Sequence, residues 1–351
     1  MDRYTKRIKL SAGILATIAR IDEFKGLWQG GMTFNPQILK RLRASVIITS
    51  TGASTRIEGA SLDDAEVARL LRGLHAKHPQ GRDEEEIAGY ADLLGRIFDN
   101  YKTLKLTEGN VLQFHAILLT YSKKDQRHKG TYKSSDNVVA MKNERGEQII
   151  LFRPTPPYLV KKEMDDVLEW TNHELKNGEL HPLLVTGNFI FEFLAIHPFS
   201  DGNGRLSRAL HNLLLLKAGY AYVPYVSLEE IIEERRADYY LSLRKAQKNH
   251  KTNNEDISPW LNFILDALFE QVARARKLMD ESHPETILSK RQLEVFAVFD
   301  EDSTLGVADI DGRLKGRVPA VTIKQALSRL VAEKFVERLG QGRATRYRKR
   351  K

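Results

Sequence analysis

The stretch from His197 to Arg208 reads His-Pro-Phe-Ser-Asp-Gly-Asn-Gly-Arg-Leu-Ser-Arg, and it lies between two apolar runs. Residues 189–196 precede it, and residues 210–216 follow it with a leucine-rich composition that favours a helix. The pattern predicts a polar turn between two buried helices. The second half of the stretch then forms the first turn of the second helix.

This position suits the binding of an anion. A helix N-terminus has unpaired N–H groups and a partial positive charge. Gly202 and Gly204 leave the backbone open to a ligand. Arg205 and Arg208 are three residues apart, so they share a helix face and both can bind phosphate oxygens.

Two further side chains add reactive groups to the predicted anion site. Asp201 offers the hard oxygen ligand that a phosphate-bound Mg²⁺ prefers. His197 titrates near neutral pH and could accept a proton from an attacking hydroxyl. Together these residues indicate phosphoryl or nucleotidyl transfer.

The stretch resembles the signature of the Fic family, His-Pro-Phe-x-Asp-Gly-Asn-Gly-Arg-x-x-Arg, and every defined position matches. The resemblance implies a protein adenylyltransferase, which transfers AMP from ATP to a Tyr, Ser or Thr hydroxyl. In it His197 is the catalytic base, Asp201 holds Mg²⁺ and Asn203 positions the α-phosphate. The ATP-binding residues that it implies in this stretch are Gly202, Asn203, Gly204, Arg205 and Arg208.

A second pattern of the same family lies upstream. Residues 54–59 match the inhibitory helix pattern [Ser/Thr]-x-x-x-Glu-[Gly/Asn], with Ser54, Glu58 and Gly59 at the defined positions. By resemblance, Glu58 pairs with Arg208 and inhibits the enzyme. One arginine cannot bind a carboxylate and a phosphate in the same geometry. The alternative for Glu58 is a surface residue before a glycine that ends a helix.

Two other regions resemble parts of Fic proteins, a β-hairpin and a group of residues near the adenine. Residues 138–141 and 148–152 predict a β-hairpin, which the resemblance makes a flap that docks a target segment by strand addition. The alternative is a hairpin that only covers the core. Tyr239, Tyr240 and Gln247 lie where relatives bind adenine, and a tyrosine pair between two helices explains the first two equally well. His115 is predicted to be a histidine at the edge of the core.

Composition sets broad limits. The chain has 351 residues, a net charge of +9 and no cysteine, which predicts two or three domains and excludes disulfides and thiol catalysis. We expect a cytoplasmic protein with no membrane span. Near the N-terminus, Ile14, Ile18 and Ile21 favour an amphipathic helix over a signal peptide. A loop is expected at residues 28–31, and Ser61 and Asp64 are expected to cap a helix over residues 62–71.

The C-terminal fifth is basic, with 15 Lys and Arg against 9 Asp and Glu over residues 285–351. It resembles a winged helix-turn-helix, with Lys324 and Arg329 on the presumed recognition helix. DNA binding and a dimer or protein contact are equally good interpretations. The predicted helices are residues 290–299, 307–314 and 321–335, and the predicted strands are residues 336–339 and 344–347.

The expected fold is mainly α: a Fic-type helical core with a small β-hairpin flap, followed by the winged helix. The expected segments are an N-terminal helical region (1–35), the core (36–280) and the winged helix (285–351). Besides AMP transfer, the alternatives are an enzyme that also removes AMP and a nucleotide-sensing DNA-binding regulator. Self-modification and a homodimer are further options.

Overall fold

The structure is a computed structural model, and it describes residues 3–31, 36–74, 78–142, 148–178, 180–280, 288–300, 303–333, 335–340, 342 and 345–350. The chain divides into two compact units. One comprises Met1–Gly31 with Leu42–Arg276, and the other comprises Met32–Arg41 with Lys277–Lys351. The predicted boundary at residues 281–285 lies outside the described residues.

Most of the chain is helical, as predicted. The helices are α1 (Arg3–Lys6), α2 (Ala12–Gly31), α3 (Pro36–Ile57), α4 (Asp64–Gly73), α5 (Arg82–Asn100), α6 (Glu108–Leu118), α7 (Pro157–Asn177), α8 (Pro182–Ile196), α9 (Asn203–Lys217), α10 (Leu228–Glu234), α11 (Arg236–Gln247), α12 (Ser258–Asp280), α13 (Lys290–Phe296), α14 (Val307–Leu314) and α15 (Ala320–Ala332), with a short 3₁₀ turn at Val223–Tyr225. Among the described residues, no helix is both long enough and apolar enough to cross a membrane.

Helix α8 is the centre of the first unit. Every residue from Leu183 to Ile196 is buried, which fits a helix that is hydrophobic on all sides. It packs against α7 and α9. The sequence between α8 and α9 is therefore held at both ends by the most deeply buried part of the unit.

The N-terminal helices correct two details of the sequence prediction. Ile14, Ile18 and Ile21 are buried as expected. The loop expected at residues 28–31 is wrong, because α2 continues through Gly31. Trp28 packs against Phe24 and stacks on Tyr225 at a centroid distance of 5.7 Å, and this packing outweighs the low helix propensity of the two glycines.

The start of α4 also differs from the prediction. We expected a helix from Leu62 with Ser61 and Asp64 as its cap. The N-cap is instead Asp63, which forms a capping box with Glu66. The hydroxyl of Ser61 donates to Asp83.

The predicted hairpin is present. Strands β1 (Val139–Lys142) and β2 (Gln148–Phe152) pair antiparallel, with an irregular register between Val139 and Ala140. Its predicted turn, residues 143–146, lies outside the described residues.

The second unit carries a three-stranded sheet with the order β3-β5-β4: β3 (Thr304–Leu305), β4 (Val336–Leu339) and β5 (Arg346–Lys349). Its core includes Val295, Ile310, Leu327 and Leu330. The last strand begins two residues later than predicted, and β3, at only two residues, was too short to predict. The first and third helices of this unit, α13 and α15, were predicted to end at residues 299 and 335. They end earlier, at Phe296 and Ala332.

Candidate active site

The polar turn at residues 197–202 lies where the pattern predicted it, between α8 and α9. His197 ends α8 in the left-handed conformation, with φ +50°, and its N–H donates to the Phe193 carbonyl at 2.9 Å. Gly202 precedes α9 with φ +76°, a conformation that glycine adopts without strain. The backbone thus reverses at His197 and again at Gly202, and the first N–H groups of α9 face the turn.

The Asn203 side chain stabilises the turn through two hydrogen bonds to the backbone of Phe199. Its side-chain oxygen accepts from the Phe199 N–H at 2.9 Å, and its side-chain nitrogen donates to the Phe199 carbonyl at 2.8 Å. The amide that we expected to position the α-phosphate is therefore engaged with the protein backbone.

His115 has a larger part in this turn than the sequence indicated. Its ring stacks on Phe199 at 3.8 Å. Its Nδ1 accepts from the Gly130 N–H at 3.0 Å, so Nε2 carries the proton and donates to the Asp201 carbonyl at 3.2 Å. Burial lowers the pKa of His115 to about 4. The neutral ring is a fixed link between α6 and the backbone of Asp201.

Lys133 and Asn137 hold the other side of the turn. The Lys133 N–H donates to the Pro198 carbonyl at 2.9 Å, and its ammonium donates to Asn137 Oδ1 at 2.7 Å and to the Ile196 carbonyl at 3.3 Å. Asn137 donates to the Phe199 carbonyl at 3.2 Å. Burial lowers the pKa of Lys133 to about 8, so it still carries most of its charge at neutral pH.

His197 is held in its neutral form. Burial is the main cause that lowers its pKa to about 4, and the nearby Lys133 charge acts in the same direction. The Glu58 carboxylate acts in the opposite direction but is weaker. A neutral imidazole has a ring nitrogen with a free lone pair, which a general base requires.

Asp201 lies in a network of charges. Burial acts to raise its pKa, but the Arg205 guanidinium and other partners outweigh burial and hold the pKa below its usual range. Arg205 lies 3.0 Å from Asp201 and 3.1 Å from Glu86, and Arg82 lies 3.6 Å from Asp201. Glu86 and Arg82 were not predicted as site residues, because nothing in their local pattern distinguishes them from other charges on a helix.

Arg208 is bound by the end of α3. Its Nε donates to the Ser54 hydroxyl at 2.8 Å, and its Nη2 donates to the Ser54 carbonyl and to Glu58 Oε1, each at 2.8 Å. Its Nη1 is buried and has no hydrogen-bond partner among the described residues. Gly59 has φ +107° directly after Glu58, where the chain leaves the helix.

Glu58 also lies directly over Gly204. A Cβ atom added at Gly204 would be only 2.0 Å from Glu58 Oε1. The carboxylate therefore occupies the space above the first turn of α9, where the backbone N–H groups of a helix N-terminus attract an anion.

These groups surround one cavity of about 360 Å³. Its lining combines acidic and basic side chains with the turn: Glu58, Gly59, Ala60, Arg82, Asp83, Glu86, His197 and Ser200–Arg205. Arg208 is not part of the lining, but its Nη1 would lie 3.3 Å from a Cβ atom added at Gly204.

The three residues compared with an adenine site are not part of this lining. Tyr239 is buried edge-on against Trp260 at 5.5 Å, and the Tyr240 hydroxyl donates to the Ile57 carbonyl at 3.3 Å. Gln247 lines a different cavity, beside β2. The structure thus separates Gln247 from the cavity at His197.

Asp201 is the carboxylate in this turn that could bind a cation together with phosphate oxygens, which is how Mg²⁺ is commonly bound beside nucleotides. A denser group of possible ligands, Glu192, His250 and Glu255, occurs elsewhere in the described part of the chain. Arg7 and Arg3 already form ion pairs with Glu192 and Glu255, so that cluster is neutralised without a metal.

Comparison with known proteins now identifies the central part of the chain. Residues 105–215 match the Fic/DOC family, and they include α6, the hairpin, α8, the turn and most of α9. These residues are similar to a Fic domain, and we call the first unit, which contains them, the Fic unit. A Fic family protein from Desulfovibrio desulfuricans G20 has a similar structure, with a TM-score of 0.62, 26% identity and coverage of 97% of both chains.

Curated relatives of the Fic domain are protein adenylyltransferases. The chain is 32% identical over 113 residues to protein adenylyltransferase fic-1 of Caenorhabditis elegans, which is 32% of this chain and 20% of that protein. It is 29% identical over 231 residues to protein adenylyltransferase Fic of Drosophila willistoni, 65% of this chain and 41% of that protein. The chain thus spans between a fifth and two fifths of these relatives. The solved structure of Fic-1 from C. elegans shares the fold, with a TM-score of 0.60 at 19% identity and coverage of 77% of this chain and 74% of that one.

Proposed function

We propose that this protein transfers AMP from ATP to a hydroxyl side chain of a target protein, and that Glu58 inhibits the transfer. The observation that carries the proposal is the Glu58 carboxylate, which contacts Arg208 and lies over Gly204. A carboxylate held at a helix N-terminus and by an arginine stands where a phosphate would bind. The names of the curated relatives give the reaction class.

In the proposed reaction, the oxygen of the target hydroxyl bonds to the α-phosphorus, and His197 accepts the proton of that hydroxyl. The bond to the β-phosphate oxygen breaks and pyrophosphate leaves. The N–H groups of Gly202, Asn203 and Gly204 at the start of α9 bind phosphate oxygens. Arg205 and Arg208 bind the outer phosphates.

Mg²⁺ fits the donor set at Asp201. The carboxylate would hold the ion, whose charge offsets that of the phosphates. Because Arg205 and Arg82 lie close to Asp201, we infer that binding of Mg²⁺-ATP moves these guanidinium groups away from the carboxylate and onto phosphate.

The target is proposed to dock along the flap, residues 138–152. An extended target segment can add to the hairpin through main-chain hydrogen bonds, which hold its hydroxyl side chain in a fixed register.

Removal of AMP by the same site is the nearest alternative reaction, with Glu58 orienting a water molecule. Transfer of another group is less favoured, because Gly202 and Gly204 leave the anion site open.

The proposal is tested with ATP labelled at either the α- or the γ-phosphate, Mg²⁺, and a lysate as the source of targets. Wild type and Glu58→Gly are compared. We expect label from the α-position only, about tenfold or more stronger in Glu58→Gly. Label from the γ-position would make the protein a kinase, and no label from either position would favour AMP removal or a nucleotide sensor.

A second function is proposed for the C-terminal unit, a winged helix that binds duplex DNA. The observation that favours it is unpaired positive charge. Exposed basic side chains of this unit that have no carboxylate partner among the described residues include Lys315, Lys324, Arg338, Arg346 and Arg350. On α15, Val321 is 68% exposed and Gln325 is also exposed, and such side chains can contact base edges in a major groove.

The DNA proposal is tested by the salt dependence of binding to a 30-base-pair mixed-sequence duplex. Each lost phosphate contact lowers the slope of log K against log salt by ~1. Arg346→Ala with Arg350→Ala should therefore lower it by ~2, whereas Lys162→Ala on α7 should leave it unchanged. Absence of duplex binding at low salt would contradict DNA binding and favour a protein contact.

A further inference from the structure

A second cavity of the Fic unit lies between the flap strand β2 and helix α11, and we call it the flap cavity. Its volume is about 620 Å³. It is lined by Ile150, Phe152, Arg153, Leu241, Arg244, Lys245, Gln247 and Lys248. Ile150 and Leu241 are apolar yet 44% and 49% exposed, so the cavity presents an uncovered apolar strip to solvent.

Every charged side chain in this lining is basic. Arg153, Arg244, Lys245 and Lys248 are all exposed, and none of them forms an ion pair with a described carboxylate. Lys251 shows the contrast, because its ammonium binds Glu163 at 2.6 Å and the Thr155 hydroxyl at 3.1 Å. Within the part of the chain that the structure describes, Lys251 is neutralised, whereas the four cations of the lining have no carboxylate partner.

This charge distribution differs from that of the cavity at His197. There, Arg82 and Arg205 both pair with Glu86 and Asp201. Four cations around an apolar strip repel one another, and an anionic ligand removes that repulsion. The cavity is thus complementary to a ligand that is both anionic and partly apolar.

We propose that the flap cavity binds an acidic segment of the target protein. This inference rests on the proposed function and specifies its substrate class: a hydroxyl residue in a segment where Asp or Glu alternates with an apolar side chain. Side chains of an extended segment alternate between two faces. One face then packs on Ile150 and Leu241, and the flanking carboxylates bind the basic side chains of α11 and the end of β2.

The first test measures binding without catalysis. A fluorescein-labelled peptide of alternating Glu and Leu, with no hydroxyl side chain, is titrated with the full-length His197→Ala protein at low salt. The comparison peptide has Lys in place of Glu. We expect the acidic peptide to bind more than about tenfold tighter, with an affinity that falls as salt is added. Equal affinity for the two peptides would overturn the proposal.

The second test reverses charge in the cavity. Arg244→Glu with Lys245→Glu should weaken binding of the acidic peptide by more than about tenfold. The matched control is Lys102→Glu with Lys105→Glu, two exposed lysines between α5 and α6, which should change the affinity less than about twofold. Equal losses in the two double variants would show that net charge, and not this cavity, binds the peptide.

A competition identifies the occupant. If Mg²⁺-ATP displaces the peptide in proportion to its own binding, the cavity takes the nucleotide and the proposal is wrong. Binding of the peptide and of Mg²⁺-ATP at the same time supports the proposal. Because peptide binding is measured in a variant that lacks His197, its failure leaves AMP transfer untouched, and failure of AMP transfer leaves the peptide result standing.

Discussion

At the scale of single residues, the site depends on side chains that keep two histidines neutral. The pKa of His197 and that of His115 are each lowered to about 4, mainly by burial. Neutral His197 can accept a proton, whereas neutral His115 can both accept from Gly130 and donate to Asp201. Burial thus suits His197 to the proposed proton transfer and suits His115 to holding the backbone of the turn.

The first prediction concerns pH. Because the free base of His197 persists down to pH about 4, AMP transfer by Glu58→Gly should not fall as the pH is lowered from 7 to 5.5. A histidine at its usual pKa would lose most of its free base over that range. The measurement is kcat/KM for a fixed target between pH 5 and 8, and a loss centred near pH 6.5 would contradict the assigned state of His197.

The second prediction concerns His115. His115→Ala removes the stacking on Phe199 and the hydrogen bonds to the half-buried Gly130 N–H and Asp201 carbonyl, so we expect a loss of about 2–4 kcal/mol in the free energy of unfolding. His128→Ala is the control, because His128 is exposed and only pairs with Asp125. Equal unfolding temperatures for the two variants would exclude a positioning role for His115.

Prediction from sequence succeeded within the motif and failed for contacts between residues far apart in the chain. The motif itself located His197, Asp201 and Arg208, since all three lie within twelve residues. His115 stayed hidden because its partner, Asp201, is 86 residues away, and an apolar helix face gives no sign of such a contact. The role expected for the Asn203 amide conflicts with its bonds to Phe199, which only three-dimensional geometry reveals.

At the scale of elements, the end of α3 is held against the Fic unit by Arg56. Its guanidinium binds Glu233 on α10 at 2.6 and 2.9 Å, Asp64 at 2.9 Å and the Leu62 carbonyl at 3.1 Å. These contacts fix the segment two residues before Glu58. The proposed inhibition therefore depends on an anchor as well as on the Glu58–Arg208 contact.

The third prediction follows from that anchor. Arg56→Ala should free the end of α3 and raise AMP transfer, though by less than Glu58→Gly, because Glu58 itself remains. Arg43→Ala is the matched control on the same helix, where Arg43 pairs with Asp99 at 2.6 Å. The assay is α-phosphate labelling. No increase with Arg56→Ala, or the same increase with Arg43→Ala, would contradict the anchor.

Elements were predicted better than their contacts. Apolar runs located α8 and α9, and two short apolar runs located the hairpin, because such runs mark the segments that are buried. The cap of α4 and the end of α2 were wrong. In both cases partners distant in sequence decide the outcome: Asp83 binds Ser61, and Tyr225 stacks on Trp28.

At the scale of the whole molecule, acid should destabilise the Fic unit. His115, His197 and His211 are buried, and the pKa of each is lowered to about 4. In the unfolded chain they bind protons near pH 6.5, so the unfolded state takes up more protons between pH 6.5 and 4. Stability is fully present above pH 6.5 and is lost as the pH falls towards 4.

The fourth prediction uses His211 to test that linkage. Burial alone lowers its pKa, and its Nε2 has no partner among the described residues. His211→Leu should therefore reduce the drop in unfolding temperature between pH 7 and pH 5, while His128→Leu should not. An unchanged drop in His211→Leu would show that other groups cause the acid sensitivity.

The measurement that tests the central claim most directly is α-phosphate labelling by three proteins: wild type, Glu58→Gly, and Glu58→Gly with His197→Ala. We predict weak labelling by wild type, strong labelling by Glu58→Gly and none above background by the double variant, with all three folded by circular dichroism. Equal labelling by wild type and Glu58→Gly would contradict inhibition by Glu58. Strong labelling by the double variant would contradict His197 as the base.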